Sequence, residues 1–209
     1  MKICMSLSLV LVFFGFLKIA NAEASEDPIA LQKAAHDISR FYVVDAGKVY
    51  RGARPQPEDL RNLQLAGIKT ILDLQGGDFD HLGDLAGIAE PGEMIDVMNQ
   101  EKITSINLGM NWISERLSSF SMTYEEQIRL RRALKVISDP RMQPVFVHCE
   151  FGRDRTGLLA ALYEVLFLGQ SANSAHARWV ATGHTGKFDR TATFALDYYF
   201  YKFILGLEN

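Results

Sequence analysis

Chemistry in this sequence concentrates in one stretch, His148-Cys149-Glu150-Phe151-Gly152-Arg153-Asp154-Arg155-Thr156-Gly157. The residues before it, Val145-Phe146-Val147, are wholly apolar, as in a strand covered on both faces of a parallel sheet. Leu158 to Leu168 after it is strongly apolar and reads as a helix. A short turn from strand to helix converges backbone N–H groups and a helix N-terminus on one point, which makes an anion site. Gly152 lets the chain turn tightly, and the planar fork of Arg155 can grip two oxygens of a tetrahedral dianion. Glu150, Phe151, Gly152, Arg153, Asp154 and Arg155 are therefore the expected cradle for a phosphate group. The same positive surroundings favour the thiolate of Cys149, bringing a thiol from about 8.5 into the range of about 3.5–7.5 and making it a nucleophile near neutral pH. His148 is expected to fix the loop by hydrogen bonding, and the Thr156 hydroxyl to stabilise the thiolate as it leaves a covalent intermediate.

The elements that must position this loop are legible in outline. Val43 to Val49 alternates around Ala46-Gly47 like a hairpin, and Tyr50-Arg51-Gly52-Ala53-Arg54-Pro55 leads to a helix from Pro57 to Ala66 that ends at Gly67. Ile68 to Leu74 is a short β-rich run broken by Gly76-Gly77-Asp78, the beginning of a β-α-β unit. Gly83 to Gln100 suggests two short helices separated by Pro91-Gly92, and Ile103 to Leu108 alternates as a strand. Thr123-Tyr124-Glu125-Glu126 is a capping-box pattern, opening a helix that Asp139-Pro140 stops. Ala172 to Ala181 and Thr191 to Leu205 supply two more helices. No internal repeat or linker occurs.

The whole chain narrows the function classes. Its 209 residues, 48% hydrophobic, suit one well-packed domain. The net charge is −3 and no Lys/Arg block occurs, which speaks against nucleic-acid binding. Lys2, the apolar run from Ile3 to Leu17 and the A-x-A pattern Ala20-Asn21-Ala22 read as a cleavable signal peptide cut after Ala22, shorter than the roughly 20 residues of a membrane span. The expected organisation is a signal peptide over 1–22, an N-terminal arm or short helix over 23–40 and one domain over 41–209. The expected location is periplasmic or secreted, with no membrane span after signal removal. Cys4 leaves with the signal, so Cys149 stands alone in a compartment where thiols are usually paired.

His-Cys, five residues, then Arg-Thr-Gly resembles the signature of the cysteine-dependent protein tyrosine and dual-specificity phosphatase superfamily. The upstream stretch Tyr50-Arg51-Gly52 through Pro55, the Pro57 helix and Gly67-Ile68-Lys69-Thr70-Ile71-Leu72-Asp73-Leu74 resembles the opening of compact atypical dual-specificity phosphatases. The resemblance spans most of Phe41 to Leu168. It implies an α/β domain with a central, mainly parallel sheet flanked by helices, phosphate bound at the C-terminal edge of the sheet, and a cysteinyl-phosphate intermediate without metal or other cofactor. The catalytic residues it implies are Cys149 and Arg155. The family usually places its general acid on an Asp some tens of residues before the Cys, and Val97 to Ser138 contains no Asp. Asp154 is the first replacement, because myotubularins and certain secreted bacterial phosphatases also carry an Asp in this loop. Its alternative is a structural carboxylate that pins Arg155 or caps the following helix. Glu115 is the second candidate acid.

Arg153 beside Asp154 suits a second phosphate, and Glu150 after the Cys is similar to phytase-like members, so inositol polyphosphates or phosphoinositides are the expected substrates. Both side chains also read as a solvated charge and a loop-stabilising partner. The expected partners are a phosphorylated small molecule, a lipid head group or a phosphopeptide, with the chain a monomer. The alternatives are an exported protein tyrosine or dual-specificity phosphatase, a module that binds phosphorylated ligands without turnover, and sulfur transfer on Cys149. Asp78, Asp80, His81 and Asp84 match no metal-ligand spacing and read as a polar loop. His176 and His184 read as helix-end or surface residues that could edge the pocket. Trp112, Phe194, Tyr198, Tyr199 and Phe200 read as packing, with Trp112 a possible lining of the cleft.

Overall fold

The structure, a computed structural model, describes residues 27–76, 91–119, 121–184 and 194–206. The signal-peptide segment and the polar run from Asp78 to Asp84 lie outside the described residues. A mixed five-stranded sheet in the order β1-β2-β5-β3-β4 forms the centre, built from β1 (Tyr42–Asp45), β2 (Val49–Gly52), β3 (Thr70–Asp73), β4 (Asn111–Ser114) and β5 (Val145–His148). The hairpin partners β1 and β2 are antiparallel, and β2, β5, β3 and β4 run parallel to their neighbours. The described helices are α1 (Pro28–Asp37), α2 (Pro57–Leu65), α3 (Pro91–Asn107), α4 (Tyr124–Ser138), α5 (Arg155–Leu168), α6 (Ala172–Ala181) and α7 (Phe194–Ile204). This is the α/β architecture the sequence predicts.

Alternation along the strands separates two cores, because successive side chains of a strand point to opposite faces. Val49, Leu72, Val145 and Val147 face a core shared with Leu130 and Ile137 of α4, Leu158 and Leu162 of α5, Trp179 of α6 and Phe200 of α7. Tyr50, Ile71 and Phe146 face the opposite core, closed by Ala34 of α1 with Ile38 beyond it, and by Leu60 and Leu63 of α2. Part of the N-terminal arm is thus a helix with a buried stripe. The two-sided burial of β5 explains why Val145-Phe146-Val147 carries no polar residue.

Local signals hold where they are strong. Asp59 accepts from the Gln56 N–H at 2.8 Å at the start of α2, and Gly67 at φ +85° follows its end. Thr123 and Glu126 make the reciprocal cap of α4. The strand expected over Ile103 to Leu108 is overturned: Ile103 to Asn107 end α3, Leu108 follows in a turn, and the β-strand lies further on, at Asn111–Ser114. The buried face of α3 runs through Met98, Glu101 and Ser105, while Ile103 and Ile106 are exposed. A helix that buries a Glu and a Ser leaves no apolar stripe for a periodicity argument to find. Gly109, at φ +78°, allows the turn after it. One helix over Pro91–Asn107 also replaces the second of the two short helices expected around Pro91-Gly92.

Phe146, fully buried at the centre of β5 and stacked on Phe41 at 5.9 Å, joins sheet to helices on the second face. Phe146→Ala is expected to cost about 3–5 kcal/mol, read as a lower midpoint in denaturant unfolding.

Candidate active site

The parallel pairing of β5 with both β2 and β3 sets His148 opposite Gly52 and Asp73, so Cys149 leaves the sheet at its C-terminal edge between two strands. The chain then turns through 149–154 and enters α5 at Arg155. The carbonyl oxygens of this turn are engaged from outside. Glu150 O accepts from Arg54 N at 3.1 Å, Phe151 O from Arg40 Nη1 at 3.3 Å, Gly152 O from Arg51 Nη2 at 2.5 Å, and Arg153 O from Trp179 Nε1 at 3.1 Å. Asp154 O accepts from Leu158 N in the first turn of α5. With the carbonyls tied outward, N–H groups are left for the interior, and those of Gly152 and Thr156 reach the Cys149 sulfur. Gly152 has φ +67°, and a Cβ there would lie 2.4 Å from the carbonyl of Gly52, so loop and β2 meet backbone to backbone.

Cys149 is buried, and burial pushes its thiol up. The charge of Arg155, the Thr156 hydroxyl and the two amides outweigh that and bring the thiol below its ordinary value. Arg155 is itself buried, with Nη1 donating to Leu117 O at 3.3 Å. Leu117 is in turn held through its neighbour Ser118, whose N–H donates to the capping carboxylate of Glu126 at 2.7 Å. The cap of α4 therefore also fixes the stretch that orients the arginine.

His148 is fully buried, with Nε2 3.0 Å from Glu101 Oε1 and Nδ1 3.9 Å from Asp73 Oδ1. Burial alone would lower its proton affinity, but the two carboxylates raise it to about 9, so it is an imidazolium at neutral pH. Glu101 also accepts from Trp112 Nε1 at 2.8 Å and stays ionised despite burial. Burial pushes Asp73 up to about 6. The anchor of His148, Glu101 on α3, escaped sequence analysis because it falls between the helices expected up to Gln100 and the strand expected from Ile103.

Asp154 is buried and makes no cap hydrogen bond to α5. Its Oδ2 accepts from Arg153 Nε at 3.1 Å, and its Oδ1 lies 2.8 Å from His184 Nδ1. Burial would raise its proton affinity, but His184 and Arg153 together lower it. His184 follows the end of α6 and is a buried member of this cluster, a correction to its reading as a surface residue. His176 is also tied in, 2.6 Å from Asp197 Oδ1. Glu115 follows β4, two residues before Leu117, and behaves oppositely to Asp154: burial raises its proton affinity by more than Arg132, at 3.9 Å, and Arg129 lower it. Phe151 is half exposed at the mouth of the turn, with the Arg153 guanidinium 5.8 Å from its ring centre. Trp112 is held by Glu101 and Lys102 on the second face of the sheet.

The sequence model of the tyrosine phosphatase family matches residues 36–193, a span that holds the strand, the turn and the arginine just described. The chain belongs to this family. It is a cysteine-based phosphatase. Among solved structures, the core catalytic domain of the PP-IP phosphatase Siw14 from S. cerevisiae is similar over 77% of this chain and 83% of its own, at 18% identity and a TM-score of 0.54. TpbA from P. aeruginosa is similar over 78% of this chain and 84% of its own, at 17% identity and a TM-score of 0.55. At these identities the likeness is one of fold. No curated protein matches the sequence.

Among the described residues the phosphatase has no cluster of His, Cys, Asp and Glu arranged to hold a metal ion, and no helix long and apolar enough to cross a membrane. Arg51 carries the largest burden that sequence analysis left unassigned. It was visible in Tyr50-Arg51-Gly52, but only the pairing of β2 with β5 brings its guanidinium to Gly152. Burial pushes Arg51 down to about 10, still charged at neutral pH.

Gly152→Ala forces a side chain into the backbone of β2 and strains a left-handed residue. Phosphatase activity is expected to fall to background, with circular dichroism retaining the helical signal.

Proposed function

We propose that this phosphatase hydrolyses phosphoric monoesters of inositol polyphosphates or phosphoinositide head groups through a cysteinyl-phosphate intermediate. The Cys149 thiolate attacks phosphorus, the bond to the leaving oxygen breaks, and that oxygen takes a proton from a carboxyl group. Water then attacks the same phosphorus, the S–P bond breaks, the thiolate returns, and the carboxylate takes the water's proton. Arg155 and the inward amides carry the charge of the transferring group.

The observation that carries the substrate class is the cationic rim. Arg40 and Arg153 bring guanidinium groups to the turn, at the Phe151 carbonyl and beside Asp154 and the Phe151 ring. Two guanidinium groups beside a one-phosphate cradle suit a ligand with further phosphates. The similarity to Siw14, described as a PP-IP phosphatase, supports the same reading. A second reading, a phosphotyrosine protein as substrate, is favoured by the half-exposed Phe151, whose ring could stack on an aryl ester, and by the solved complex of TpbA with pTyr.

Phosphate release measured in parallel from myo-inositol hexakisphosphate, phosphoinositide vesicles and a phosphotyrosine peptide separates the readings, with Cys149→Ser as the inactive control. Faster turnover of the inositol compounds is the expected result. Preference for the peptide would transfer the assignment to a protein phosphatase. Release by neither class would leave a phosphate-binding module.

Glu115 takes the acid role in this proposal, because it lies two residues before Leu117, whose carbonyl accepts from Arg155, and its proton affinity is raised while that of Asp154 is lowered. An acid with raised affinity stays protonated to higher pH, and its contribution is lost as pH climbs through that value. Glu115→Gln is expected to slow alkyl phosphates by about 10²–10⁴-fold and aryl phosphates much less, since a phenolate departs without a proton. Asp154→Asn should slow both alike. The reverse pattern would return the acid role to Asp154.

A further inference from the structure

The side of the phosphate turn away from β2 is closed by a cluster that the reaction sequence above does not use. His184 is 3% exposed and lies face to face with Trp179, ring centres 3.8 Å apart. Its Nδ1 is 2.8 Å from Asp154 Oδ1 and its Nε2 is 3.1 Å from Asp197 Oδ1 on α7. A neutral imidazole has one N–H and one lone pair, so it could satisfy only one of these carboxylates and would point a lone pair at the other. Both contacts are hydrogen bonds only if both nitrogens carry hydrogen. The aromatic face of Trp179 also favours a cation. Burial would lower the proton affinity of His184, and the two carboxylates raise it above the ordinary value.

The charged and titratable groups around it come from every packed element. Asp154 is on the turn with Arg153 behind it and Arg51 of β2 acting on its charge, Arg40 reaches Gly183 beside His184, Asp197 and Tyr201 are on α7, and His176 is on α6, sharing Asp197 Oδ1. Asp154 is the one anion of this group inside the turn that must accept a dianion. An ionised carboxylate there would repel substrate unless its charge were cancelled.

We propose that His184 is a positioning residue of the phosphatase: as an imidazolium anchored to α7 through Asp197, it holds Asp154 against the turn and cancels its charge, so that a tetrahedral dianion can bind beside it. The inference rests on the phosphate-binding reading of the turn but not on turnover. His184 acts on anion affinity and not on the chemical step. When it loses its proton at alkaline pH, Asp154 keeps the Arg153 contact but loses its second cation, and the cradle weakens.

The test uses sulfate, whose charge is constant over the range studied, in a Cys149→Ser background that removes the charge of the thiolate. Binding is followed by calorimetry from pH 6 to 9. A ¹⁵N resonance titration of the full chain locates the His184 midpoint, which is expected above 6.5. Sulfate affinity of Cys149→Ser should fall about tenfold or more across that midpoint, the scale of one charge-assisted hydrogen bond. Adding His184→Gln should leave affinity low and remove the step, whereas adding His36→Gln, an exposed change, should leave both. Asp197→Asn should move the step to lower pH. A His184 that is neutral at pH 7, or a step that persists at the His184 midpoint in the His184→Gln protein, would overturn the proposal; steps near 6 and 9 belong to Asp73 and His148. The resonance titration decides the matter even if that variant does not fold. Sulfate binding with no phosphate release from any ester would count against the enzyme's proposed substrates and leave this assignment standing.

Discussion

Every function of the site depends on the direction in which one short turn points its peptide groups. A peptide that turns its N–H toward an anion must turn its C=O away, and a buried carbonyl without a donor is costly. In this protein the donors come from distant parts of the chain: the Arg40 and Arg51 guanidinium groups, the Arg54 amide and the Trp179 indole. The cradle is therefore not a property of the turn alone. It is held open by the β1-β2 hairpin on one side and α6 on the other, and on the hairpin side Gly152 meets Gly52 backbone to backbone.

The second constraint is charge. Cys149, Arg155, His148, Glu101 and Asp73 are buried together at one end of the sheet. Burying any of them singly would be prohibitive, and buried charges persist only when paired and hydrogen-bonded. Arg155 stabilises the thiolate. His148 is held by Glu101, and Asp73 binds its proton more tightly than a free carboxyl does. Around the turn, Arg153 and His184 share Asp154. These pairings divide the carboxyl groups near the site into those whose proton affinity is lowered and those whose proton affinity is raised, a division an acid–base step can draw on.

Gly157 shows how closely the layers meet. A Cβ there would fall 2.1 Å from the Trp179 ring, so α5 and α6 touch at the residue that follows Thr156. The same indole that packs against Gly157 donates to Arg153 O and stacks on His184. Packing in the core and placement of the phosphate turn are thus one set of contacts, and loosening the first would move the second.

Much of this was legible in the sequence where local rules suffice. The apolar Val145-Phe146-Val147, the turn residues around Cys149, the Thr123 capping box and the Pro57 helix declare themselves because strand burial, helix caps and turn chemistry involve neighbours along the chain. Cys149 and Arg155 belong to that local set, since both sit at one turn. Residues 103–108 escaped it, because a helix burying Glu101 and Ser105 carries no apolar stripe, and its β-branched residues read as a strand. Only the tertiary structure decided that Glu101 meets His148, that Arg51 reaches Gly152, and that His184 and Asp197 close on Asp154. Those partners are separated by 47, 101 and 30 positions for the three hydrogen bonds onto His148, Gly152 and Asp154. Hydrogen bonds and ion pairs across such separations leave no periodicity in the chain, so their effect on proton affinity exists only once the sheet and helices are assembled.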